Sequence, residues 1–116
     1  MKPIAFQNQA AQGDMLLTRI EAIPEDAAPV AAEKGFFVLA HSETGHNHVV
    51  MERPGVKLYQ DAKDPMTAYL DVLVTDSIIE HQRSFDTHKP LKIIPGKFRV
   101  RRQREYTAEG WRRAQD

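Results

Sequence analysis

The sequence predicts an all-β fold, a small barrel or sandwich of seven to eight short strands. Three observations carry this. Short runs rich in β-branched and aromatic residues recur at eight-to-twelve-residue spacing along the chain. Turn chemistry separates them, as in Arg53-Pro54-Gly55, Ala62 to Pro65 and Pro95-Gly96. The 116 residues fit one domain with a single hydrophobic core.

The elements follow in order. Residues 1–12 are polar and read as a flexible arm or an edge segment. Gly13-Asp14 opens a strand over Met15 to Ile20, with Asp14 suited to tightening the turn. Glu21 to Gly35 contains Pro24 and Pro29 and reads as a loop or one short helix, since proline opposes a long one. Strands are expected over 36–41, 46–52, 56–60, 67–74 and 77–81. A polar loop precedes a strand over Pro90 to Ile94, and Lys97 to Tyr106 forms the last strand. Residues 107–116 form a C-terminal extension with a short helix, capped by Thr107 and weakened by Gly110. The chain shows no internal repeat.

Composition narrows the chemistry. There is no cysteine, which removes disulfides, thiolate metal sites, Fe–S clusters and cysteine catalysis. No apolar run approaches the roughly 20 residues of a membrane helix, and the N-terminus lacks a signal-peptide pattern, so a cytoplasmic protein is expected. There is no Gly-rich phosphate loop and no nucleotide or haem signal. Ser42 with His41 and Glu43 has the residue types of a hydrolase triad, but sequence neighbours cannot adopt triad geometry.

The densest chemistry is HSETGHNHVVME, His41 to Glu52, with three histidines and two glutamates in twelve residues. On a strand, His46, His48, Val50 and Glu52 share one face. Residues two apart on a strand are about 6.5 Å apart at the backbone, close enough for two imidazoles to converge on one ion. His41 lies across the turn. His81 and His88 offer a third and fourth ligand if the intervening loop folds over this hairpin. The expected ligand set is therefore His46, His48, His88, His81 and Glu52, and the ion a divalent metal, Zn, Fe, Mn or Ni. In the competing reading each histidine is solvated or makes one hydrogen bond, and Glu52 pairs at the surface with Arg53 or Lys57.

The spacing His46-x-His48-x3-Glu52 resembles the first metal box of the cupin superfamily, in which these residues bind a divalent metal. Ala40 and Tyr59 stand where that family has glycines, and no histidine follows Pro95-Gly96. A broader resemblance runs from Gln12 to Tyr106. Gln12-Gly13-Asp14, Thr44 to His48, His88 to Leu91, Pro95-Gly96 and Gln103 to Tyr106 look like a family of small bacterial proteins with no assigned activity. It implies one compact β domain and adds weight to His46, His48 and His88.

Charge is zero overall but unevenly placed. Residues 1–96 carry nine Lys/Arg against thirteen Asp/Glu, whereas residues 97–116 carry seven against three. This raises a second function, a non-catalytic module contacting nucleic acid or a protein partner through Arg99, Arg101, Arg102 and Trp111. In the plainer reading the basic strand lies against acidic neighbours such as Asp71 or Asp76, or against another subunit. An exposed Trp111 would mark a homo-oligomer contact.

Overall fold

The computed structural model describes residues 4–5, 8–12, 14–40, 47–74, 77–81, 90–102, 104–107 and 110–113, with side chains described for 8–12, 14–40, 47–74, 77–80 and 90–102. Its strands are β1 (Ile4–Ala5), β2 (Gln9–Gln12), β3 (Met15–Ile20), β4 (Ala28–Val30), β5 (Phe36–Ala40), β6 (His48–Met51), β7 (Val56–Gln60), β8 (Thr67–Val72), β9 (Ser77–His81), β10 (Leu91–Ile93), β11 (Gly96–Arg102), β12 (Arg104–Thr107) and β13 (Gly110–Arg113). The eight runs picked out by β propensity and turn signals are β3 and β5 to β11.

One sheet has the antiparallel order β10-β9-β6-β5, extended at one edge by β1, which pairs parallel with β10. The other is antiparallel throughout, in the order β2-β3-β11-β8-β7-β4. No ladder joins the two among the described residues, which form a sandwich-like pair of sheets.

Alternation builds the core. Phe37, Val50, Ile79, Leu91 and Ile93 project from the first sheet, and Met15, Leu17, Leu58, Leu70, Phe98 and Val100 from the second. Burying each large side chain contributes about 1.5–3 kcal/mol. The register of β5 against β6 shifts between Val38 and Ala40. This bulge lets Leu39 and Ala40, adjacent in sequence, both be buried.

Two turns follow from their residues. Lys34 and Gly35 both have positive φ, 53° and 84°, and Glu33 and Phe36 exchange backbone hydrogen bonds around them. That is the two-residue hairpin connection whose twist suits the flanking chain. Pro54-Gly55 turns the chain into β7, with Gly55 at φ 88° and the Val56 N–H donating to Arg53 O.

Of the two readings of Glu21 to Gly35, the loop holds and the helix does not; the segment also carries β4, and Pro29 fits there because β4 ends the sheet order. Among the described residues of the C-terminal extension there is no helix, which corrects that expectation: Arg104–Thr107 and Gly110–Arg113 pair as antiparallel strands, with Tyr106 opposite Trp111. Tyr, Thr and Trp favour strands, and Gly110 penalises the helix.

Candidate functional site

A buried polar chain crosses the sandwich at one end. Gln12 closes β2 and pairs in register with Met15, which places Asp14 in the connection entering β3. His48 opens β6, and Arg102 ends β11 on the same face as Phe98 and Val100. Gln12, Asp14 and His48 are 2%, 1% and 0% exposed, so three polar side chains sit where apolar ones would be ordinary.

The contacts specify the orientation of each group. The Gln12 carboxamide Nε2 donates to Ile79 O at 3.1 Å. Its Oε1 therefore faces His48 Nδ1, 2.8 Å away, and accepts that ring N–H. His48 Nε2 lies 3.4 Å from Asp14 Oδ1. Asp14 Oδ2 accepts from Arg102 Nη2 at 3.1 Å. The chain thus runs from a β9 carbonyl through β2 and β6 to β11, tying one sheet to the other.

Beside it lies a cleft of about 510 Å³ between the sheets, walled by Leu39 and Ala40 on one side and Leu58 and Ala68 on the other, with Arg102 and Glu33 among its polar lining. The segment 61–67 flanks the cleft and is internally braced. Gln60 Nε2 donates to Asp64 O and Thr67 O at 3.0 and 2.9 Å. Asp61 Oδ1 accepts from the Tyr69 hydroxyl at 2.6 Å, and Asp61 Oδ2 accepts the N–H groups of Lys63 and Asp64. Asp64 accepts from the Met66 N–H and the Thr67 hydroxyl. These bonds favour the ionised carboxylates. The Tyr69 hydroxyl, then backbone donors, hold Asp61 below the usual aspartate range, and the Thr67 hydroxyl, then the Met66 N–H, do the same for Asp64. The Asp61 carboxylate in turn pushes the Tyr69 hydroxyl up to about 12.

Of the residues proposed from sequence, His48 is at the centre of this network. His81 is its ladder partner in β9, with its side chain outside the described residues. Glu52 is exposed just past β6. His41, His46 and His88 lie outside the described residues. Among the described residues, no three or more His, Cys, Asp or Glu side chains cluster as a metal shell.

The basic strand divides between two faces. Lys97 Nζ is 3.9 Å from Asp71 Oδ1. Arg99 and Arg101, opposite Tyr69 and Thr67, alternate with Arg102 and so stand on the outer face, whereas Arg102 reaches inward to Asp14. Trp111 lies in β13, its side chain outside the described residues.

Sequence reasoning assigned Asp14 only to a turn and did not connect Gln12 or Arg102 with His48. The available signals were the Gln12-Gly13-Asp14 motif and the alternation that places Arg102 with Phe98 and Val100.

A family model described as a domain of unknown function, DUF8820, matches residues 11–103. The match takes in Gln12, Asp14, His48 and Arg102, and the chain belongs to that family. No curated protein and no solved structure matches the chain significantly.

Proposed function

We propose that this member of the DUF8820 family binds one divalent metal ion at a site centred on His48 and Asp14. One observation carries the reading. With Nδ1–H committed to Gln12 Oε1, a neutral His48 ring presents its Nε2 lone pair to the Asp14 carboxylate at 3.4 Å. Two acceptors face each other, an arrangement that is favourable only with a positive charge between or upon them. Two ligands bonded at about 2.1 Å to one tetrahedral ion stand about 3.4 Å apart. A ligating histidine whose other ring N–H donates to a carbonyl oxygen is also the usual supporting arrangement for metal sites.

Imidazole and carboxylate donors suit Zn, Fe, Mn or Ni. His81, across the ladder from His48, and His46, two residues before it, are the side chains to complete the shell, with His88 as the longer-range ligand. Exposed Glu52 has less support for that role than Asp14. The competing account of the same geometry is a protonated His48 in a buried ion pair with Asp14, which serves only the fold. The basic-strand function has less support, since Arg102 faces inward and Lys97 has Asp71 beside it.

Metal content by mass spectrometry separates the two accounts. About one equivalent in the untagged protein, lost in Asp14→Asn and in the His46→Ala, His48→Ala double variant, is the expected result. Metal-free protein after incubation with Zn, Fe, Mn and Ni, at normal stability, makes the pair structural.

A further inference from the structure

We infer that the cleft between the sheets binds a small organic monocarboxylate with an apolar body, and that Arg102 receives the carboxylate. This goes beyond the metal site: the ligand-binding group is Arg102, which touches that site only through Asp14.

The cleft is built into the packing. The bulge after Val38 turns both Leu39 and Ala40 inward, and Ala40 and Ala68 are too small to fill the gap between the sheets. The resulting space, about 510 Å³, is of the size that holds small organic molecules, about 300–1,000 Å³. Its apolar lining includes Val30, Val38, Leu58 and Ala68, which suit a hydrocarbon body.

Arg102 supplies the charge. Its side chain is only 9% exposed. Of the five N–H donors of a guanidinium, the described residues satisfy only the Nη2 contact to Asp14, and Nε is buried with no described hydrogen-bond partner. A buried guanidinium with unfilled donors at the side of an apolar cleft is complemented by a planar carboxylate, which can take two parallel N–H bonds. The cleft also carries the exposed carboxylate of Glu33, which disfavours a second negative charge on the ligand.

Calorimetric titration of the protein as purified tests this with octanoate, octanol and suberate as probes. Wild type is expected to bind one octanoate, with octanol and suberate each at least about tenfold weaker, as expected for loss of one charge-assisted contact or gain of one repulsion. Arg102→Gln should erase the preference for octanoate over octanol. Ala68→Leu fills part of the cleft without replacing Arg102 or Asp14, so it should weaken octanoate at least about tenfold while circular dichroism shows the wild-type fold. If Arg102→Gln does not fold, Ala68→Leu decides the matter. No saturable octanoate binding at millimolar concentration, equal binding of octanoate and octanol or suberate, or wild-type binding by a folded Ala68→Leu variant would each overturn the proposal.

Discussion

Gln12 Oε1 holds His48 Nδ1 at 2.8 Å across the gap between the two sheets, with both side chains sealed from solvent. Because the other end of the carboxamide is occupied by Ile79 O, Gln12 cannot turn its NH₂ to the ring without breaking that bond. The imidazole is held in one orientation by a residue 36 positions earlier in the chain.

Gln12→Ala removes both bonds and leaves the His48 ring N–H and Ile79 O to find new partners. Loss of about 1–3 kcal/mol is expected, the cost of leaving buried polar groups unmet. Urea denaturation of wild type and variant measures it. A loss under about 0.5 kcal/mol would show that water or a neighbour replaces the carboxamide.

Asp14→Ala removes the carboxylate that Arg102 and His48 share. Breaking a buried ionic partner typically costs about 3–5 kcal/mol. Replacing both ends, as Asp14→Leu with Arg102→Met, should recover much of that loss, since no buried charge is then left over. A double variant no more stable than Asp14→Ala contradicts this account.

Tyr69 and Asp61 make opposite contributions to the pH dependence. The Tyr69 hydroxyl is raised to about 12 in the folded chain, so its contribution is complete below the unfolded value near 10 and is lost as pH rises through 12. Asp61 and Asp64 are lowered, so theirs is present above the ordinary aspartate value of 3.8 and is lost as pH falls through the lower folded values. Ultraviolet titration should show one of the three tyrosines ionising near 12, a step that Tyr69→Phe removes. Three tyrosines all ionising near 10 would refute the Asp61 bond.

Gly55→Ala places a Cβ 2.8 Å from Val74 Cγ1 at a backbone φ of 88°. Steric overlap and left-handed strain act together, and the variant should lose more than about 1 kcal/mol in urea denaturation. Gly35→Ala has the same sign of φ but open space around the new methyl group, so it should lose less.

Local chemistry made most of the fold legible. Alternation in MLLTRI and in the run from Phe98 to Arg102, and turn residues such as Pro54-Gly55, are properties of neighbours in sequence and can be read there. The short strands β2 and β4 were less visible because Gln9 to Gln12 and Ala28 to Val30 have little strand character of their own and are held by β3 and β7. The buried network around His48 was only partly legible. His48 stood out within TGHNH, but Asp14 and Arg102 meet across 88 positions, and only the folded sheet order brings them together. Arg102 was grouped with Arg99 and Arg101 by composition, although the two-residue period assigns it to the other face.

The adjacency of β3 and β11 bears on how the chain acquires its structure during synthesis. These two strands, residues 15–20 and 96–102, are neighbours inside the six-stranded sheet. An emerging polypeptide cannot complete that sheet until nearly all of the described chain has left the ribosome. The early strands must wait with their apolar faces uncovered, so folding should be slow and sensitive to holdase chaperones, as expected where long-range pairings dominate.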